Sequence, residues 1–170
     1  MIVSNSTALI YLGKIGRLEL LRIFFKKVAI PKAVFDEVVV QGKKDKHIDA
    51  VLVEEAIKNG WIEIKETEIF PQLKEFGIDR GEMEAISLSL ALKAAILLDQ
   101  THARIAAKAF GLKPKGTLFI LLKALKTKKI SFDEFIDYLE KLVYIGFRMK
   151  EEVYLEAIKK ARKIKQNRKN

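Results

Sequence analysis

Ala94-Ala95-Ile96-Leu97-Leu98-Asp99 is an unbroken apolar run closed by a carboxylate, and its reading decides the fold class. A stretch this short and this aliphatic reads as a strand buried on both faces, the habit of parallel sheets covered by helices. The amino terminus repeats the pattern, because Met1-Ile2-Val3 runs into the polar turn Ser4-Asn5-Ser6-Thr7, which can cap a helix starting near Ala8. Upstream of Asp99, Glu82 opens an amphipathic helix after Asp79-Arg80-Gly81. Acids and short polar groups at the carboxyl ends of buried strands point into the crevice where open α/β sheets bind ligands.

Working outward, short β-branched runs alternate with helical periodicity along most of the chain, which predicts an α/β/α sandwich around a central parallel sheet of about five strands, with helices at the C-terminus. The expected strands lie near 1–4, 28–30, 61–65, 95–98 and 112–114. Pro31 is expected at the first position of a helix, with Glu37 about two turns in. Ile48, Val51, Leu52, Glu55 and Ala56 mark one face of the next helix, ended by Asn59-Gly60, and Gly42-Lys43-Lys44-Asp45 reads as a surface loop. Further helices are expected at about 101–110 and 117–126. From Ser131 onward the chain reads as helical, opening on the capping box Ser131-Phe132-Asp133-Glu134. Residues 1–148 are expected to form one domain and 149–170 a C-terminal helix with a basic tail.

The 170 residues, 49% of them apolar, suffice for a sizeable core. Without cysteine there are no disulfides or thiolate ligands, and two separated histidines leave a metal site to oxygen donors, which favours Mg²⁺ or Mn²⁺. No segment is long and apolar enough to span a bilayer, and the amino terminus lacks the charged start of a signal peptide, so a cytoplasmic location with no membrane partner is expected. Four Asn and four Gln against abundant Lys, Glu and Ile resemble a thermophile composition. The net charge of +10 is concentrated at the end: Lys159, Lys160, Arg162, Lys163, Lys165, Arg168 and Lys169 follow Ala157 with no acid among them. Such a cluster attracts polyanions by counterion release, and it equally suits a solvated helix end.

Phosphodiester chemistry with divalent ions needs oxygen ligands delivered from separate elements. Asn5, Glu37, Glu82 and Asp99 are the candidates, two at strand ends and two on helices that can lean over those ends. Three of them have a second reading. Asp99 can cap the helix that follows it, Glu82 suits the positive end of its helix, and Asp36 stands beside Glu37. Helical phase places Glu82 with Ala85, Ile86 and Ser89 and sets Glu84 to one side, which favours Glu82 as the acid with a function. Ser6, Thr7 and Thr117 can serve a ligand's polar shell or cap helices, and Lys14 and Arg104 can hold a phosphate or stay solvated. His47 and His102 read as surface residues, and Trp61, Phe70, Phe76 and Phe110 as core rather than base-stacking platforms.

Taken in order, these pieces resemble the PIN-domain (VapC-like) family of metal-dependent nucleases, and within it the PIN-like subgroup found as toxins of prokaryotic toxin–antitoxin loci. The resemblance rests on Ile2-Val3-Ser4-Asn5-Ser6-Thr7, Ile30-Pro31-Lys32-Ala33-Val34 with Glu37, Asp79-Arg80-Gly81-Glu82, Leu97-Leu98-Asp99 with Ala103-Arg104, and Gly116-Thr117. It implies an endoribonuclease using Mg²⁺ or Mn²⁺, with Glu37, Glu82 and Asp99 as metal ligands and Asn5 in the place of the family's first aspartate, a substitution this subgroup often tolerates. Ser6, Thr7, Lys14, Arg104 and Thr117 would contact substrate. RNA, an antitoxin protein and a homodimer are the partners it implies. Two other classes remain: a nucleic-acid or antitoxin-binding module that has lost the chemistry, and a nucleotide-binding or phosphatase-like domain, which the lack of a Gly-rich loop after the first strand counts against.

Overall fold

The computed structural model describes residues 1–168. Four strands, β1 (Ile2–Ser4), β2 (Val28–Pro31), β3 (Ile62–Lys65) and β4 (Ala95–Leu97), form one parallel sheet in the order β3-β2-β1-β4. Ile2, Val3, Val28, Ala29, Ile30, Ile96 and Leu97 have no exposed surface, so residues on both faces of the central strands are covered. Helices α1 (Ser6–Lys14) and α2 (Glu19–Phe25) join β1 to β2, and α5 (Ile48–Lys58) leads into β3. Helix α6 (Arg80–Leu92) leads into β4, which is followed by α7 (Thr101–Ala109). Val3, Ala29, Ile96 and Leu98 share one buried cluster with Ala85, Ile86 and Leu88 of α6 and Ala103, Ala106 and Ala107 of α7. The architecture is α/β, a parallel sheet flanked by helices.

Four strands stand where five were expected. The fifth is reduced to a single bridge, Leu97 to Lys115, made by Lys115 N–H to the Ile96 carbonyl at 2.9 Å and Leu98 N–H to the Lys115 carbonyl at 2.8 Å. Thr117 begins a helix two residues on, which ends the pairing in that direction.

The connection from β2 to α5 also departs from expectation. Pro31 closes β2 and serves as N-cap of α3 (Lys32–Phe35), which runs on through a π-helical turn, Asp36–Gln41, into α4 (Gly42–Lys44). The segment expected as a surface loop is therefore helical, with Gly42 buried against α5: a Cβ there would stand 2.8 Å from that of Ala50. On α5 the buried residues are Asp49, Ala50, Val53 and Ala56, while Ile48 and Val51 face solvent. The expected face was thus out of phase. Trp61 is half-buried, Phe76 and Phe110 pack against the core cluster, and Phe70, expected in the core, is exposed beside a 3₁₀ turn at Pro71–Phe76.

The chain divides into two compact units, Met1–Thr117 and Leu118–Asn170. The second unit takes in most of α8 (Thr117–Lys126), then α9 (Phe132–Tyr144) and α10 (Glu151–Asn167). Helix α9 opens on the expected box: Ser131 Oγ accepts from Glu134 N–H at 3.0 Å, and Ser131 N–H donates to Glu134 Oε2 at 2.7 Å. Phe135, Leu139 and Leu142 of α9 and Ala157 and Ala161 of α10 are buried. Of the basic tail, Lys159 to Lys165 lie on α10 and Arg168 caps it, whereas Lys169 lies outside the described residues.

Gly13 of α1 meets α5 closely, since a Cβ there would lie 2.7 Å from Asp49 Cβ and 3.2 Å from its Cα. Alanine would gain about 1 kcal/mol of helix propensity. Forcing these two carbon frameworks apart costs more, of order 3 kcal/mol at the upper end of overpacking. Gly13→Ala is expected to lose about 1–2 kcal/mol net in urea unfolding, and a variant as stable as the parent would show that α1 and α5 do not abut so tightly.

Candidate functional site

The sheet order creates a switch point. From β1 the chain steps to β2 and β3 on one side, then returns to β4 on the other side of β1, so the connections diverge between β1 and β4. Ligands of open α/β sheets bind at the carboxyl ends flanking such a point. Ser4 pairs with Leu97, and Asn5 N–H donates to the Leu97 carbonyl at 3.3 Å, which sets Asn5 beside the chain that delivers Asp99.

Asp99 is not the cap of the helix that follows it, because Gln100 holds that position in α7. Its carboxylate instead accepts two bonds from Thr117, N–H to Oδ1 and Oγ1–H to Oδ2, each at 2.8 Å. Gly116 makes that approach possible: a Cβ there would stand 2.7 Å from Asp99 Oδ1 and 3.5 Å from an Arg104 nitrogen. Arg104 is half-buried and donates from Nη1 to the Leu98 carbonyl at 2.8 Å, which fixes its positive charge next to Asp99. Burial nevertheless dominates and pushes the Asp99 carboxyl above its ordinary range, against the opposing pull of the Thr117 bonds and Arg104.

Glu82 and Glu84 are both buried, and their partners separate them. Glu84 is committed to structure, accepting from Ala33 N–H at the start of α3 at 2.9 Å and from Arg80 Nε at 2.7 Å. Glu82 forms a capping box with Asp79, accepting its N–H on Oε2 at 3.1 Å while its own N–H donates to Asp79 Oδ1 at 2.7 Å. The reading of Glu82 as a helix-end acid is thus realised, and it leaves Oε1 outside the box. Burial first, then the charges of Asp79 and Glu37, push the Glu82 carboxyl upward, against the Asp79 N–H and His102. A carboxylate from Glu37 therefore acts on Glu82, and His102, exposed and passed over in the sequence, stands close enough to offset it.

Glu37 lies in the π-helical turn, a helix distortion that occurs frequently at functional sites. It is exposed, accepts a hydrogen bond from Ser6 Oγ on Oε2, and would lie 3.8 Å from a Cβ on Gly81. Asn5 is 2% exposed, donates from Nδ2 to Gln100 Oε1 at 3.0 Å, and leaves Oδ1 buried without a partner. Gln100 in turn donates to Thr7 Oγ1 at 2.7 Å. Lys14, in the last turn of α1, holds its ammonium 5.7 Å from the centre of the Tyr11 ring.

Each of the four candidates thus has a partner of its own, Ser6 for Glu37, Asp79 for Glu82, Gln100 for Asn5 and Thr117 for Asp99, and Glu37 also acts on Glu82 through its charge. Among the described residues no three acidic or histidine side chains stand together as a ready-made cation cluster. The donor set itself fits a hard divalent ion, being all oxygen, with one orphaned carbonyl and two carboxyls that burial discourages from carrying charge.

The model of the DUF3368 family, described as a PIN domain, matches residues 1–163. The chain belongs to the PIN-domain family, whose fold is of nuclease type. No curated protein matches it. Among solved structures, it is similar to a PilT N-terminus domain protein, SSO1118, from the hyperthermophilic archaeon Sulfolobus solfataricus P2, with 19% identity over 74% of this chain and 94% of that one, at a TM-score of 0.49. No helix among the described residues is long and apolar enough to cross a membrane.

A carboxyl whose pKa is raised by folding binds more protons folded than unfolded, so stability falls as pH rises from its unfolded to its folded value. Glu82→Gln keeps the capping-box geometry and removes that charge. In metal-free buffer at neutral pH, the variant is expected to melt higher than the parent, with the advantage vanishing on acidification into the ordinary carboxylate range. An unchanged or lowered melting temperature at neutral pH would contradict a desolvated Glu82.

Proposed function

We propose that this PIN domain is a divalent-metal-dependent endoribonuclease, hydrolysing RNA phosphodiester bonds in the cytoplasm. The observation that carries the reading is Asn5 Oδ1, a buried acceptor with no partner beside the chain that delivers Asp99 at the sheet's switch point. An orphaned buried carbonyl costs about 1–3 kcal/mol, a cost a bound cation would offset. Asn5, Glu37, Glu82 and Asp99 would hold Mg²⁺ or Mn²⁺. A divalent ion in such a site supplies the charge that activates water and stabilises the leaving oxygen.

The remaining residues act around that centre. Thr117 holds the Asp99 carboxylate in place with the charge of Arg104 nearby, Ser6 holds Glu37, and the Asp79 box fixes Glu82. Ser6, Thr7, Lys14, Arg104 and Thr117 would meet the substrate, and separately from that centre the basic C-terminal residues supply a sequence-independent attraction for RNA phosphates. The subgroup's habit suggests a toxin held by an antitoxin protein, working as a homodimer. A second reading has its own support. With Asn5 in place of an acid and no three-acid cluster among the described residues, a catalytically weak or inactive nucleic-acid or antitoxin-binding module also fits.

Cleavage of a structured and a single-stranded RNA, with Mg²⁺ or Mn²⁺ and with EDTA, separates the two. The nuclease reading expects metal-dependent cleavage, abolished by EDTA and reduced at least about 100-fold by Asp99→Asn or Glu82→Gln in folded protein. Parent-level cleavage by both variants would overturn the site, and RNA binding without cleavage under any metal would establish the binding module.

A further inference from the structure

Asparagine is among the preferred helix N-caps because Oδ1 can accept an N–H of the first turn. Asn5 stands at the N-cap of α1 with an extended backbone, φ −83° and ψ −176°, yet its side chain makes no capping bond. The amide is turned the other way, with Nδ2 donating to Gln100 Oε1 at 3.0 Å and Gln100 Nε2 anchored on Thr7 Oγ1 at 2.7 Å. Gln100 is itself the N-cap of α7 and also makes no capping bond. Two cap residues thus forgo their local bonds for each other, and the acceptor left over, Asn5 Oδ1, is buried and unpartnered.

We infer that Gln100 is a positioning residue: by gripping the Asn5 amide nitrogen, with Thr7 behind it, Gln100 keeps the Asn5 carbonyl oxygen as the atom offered to a divalent cation. The inference rests on the metal reading of the preceding section. An amide has one acceptor and one donor end, and the inverted amide would present N–H groups to a cation, which repel it. A carboxylate has two equivalent oxygens and needs no such choice. The grip therefore matters only while residue 5 is asparagine, and it answers how a neutral side chain serves in an acid's place. Gln100 is exposed, so its replacement is expected to leave the fold intact.

The test is a double-mutant cycle on the full chain, read as the Mn²⁺ dissociation constant by calorimetry, with metal-free melting temperatures as a check on folding. Gln100→Leu is expected to weaken Mn²⁺ binding about 10-fold, the lower range for an outer-shell partner. In an Asn5→Asp background the same change should cost less than about twofold, because the carboxylate has no wrong orientation. Gln100→Glu should retain affinity, since its carboxylate can accept from both the Asn5 amide and the Thr7 hydroxyl. Equal losses in both backgrounds, no loss at all, or a Gln100→Glu protein as weak as Gln100→Leu would overturn the inference while leaving the metal reading intact. A parent protein that binds no Mn²⁺ would overturn the metal reading and the inference together.

Discussion

The pairing of β1 with β4 is the constraint on which the site depends. Ser4 opposite Leu97, with Asn5 N–H bonded to the Leu97 carbonyl, sets the two strand ends side by side. The backbone bonds of this pair set the register, and the register fixes where Asn5 emerges relative to the chain leading to Asp99. The polar residues contribute chemistry to a position that the strand pairing has set.

A second layer of bonds then holds acids where water is scarce. Asp99 carries a raised pKa despite two bonds from Thr117 and a nearby Arg104, and Glu82 carries one despite its capping box. In both cases burial outweighs those partners, and carboxyls perturbed in this way cluster at functional sites. Glu84, equally buried, accepts from Ala33 N–H and from Arg80, which ties the start of α3 to α6.

Much of this was legible in the sequence, and the failures have physical causes. Short apolar and β-branched runs identified all four strands, and the Ser131 box was visible because capping chemistry is local, whereas the Asp79 box appears only in the structure. Helix α5 was misphased because its contacts are set by close approach rather than by hydropathy. Gly13 meets Asp49 and Gly42 meets Ala50, so small residues turn inward and Ile48 and Val51 turn out. The π-helical turn that carries Glu37 leaves no trace in a 3.6-residue pattern, and Val38 and Val39 are buried in succession there. Gln100 was passed over since nothing local marks it; its role lies in bonds to residues 93 and 95 positions away.

The central claim is that the carboxyl edge between β1 and β4 is a divalent-cation site. Calorimetric titration of Mn²⁺ into the full chain, with Asp99→Asn as control, tests it most directly. Saturable binding in the parent, lost in the variant while its melting temperature in metal-free buffer is retained, is the result this account predicts. No saturable binding, or binding of equal strength in the variant, would contradict it.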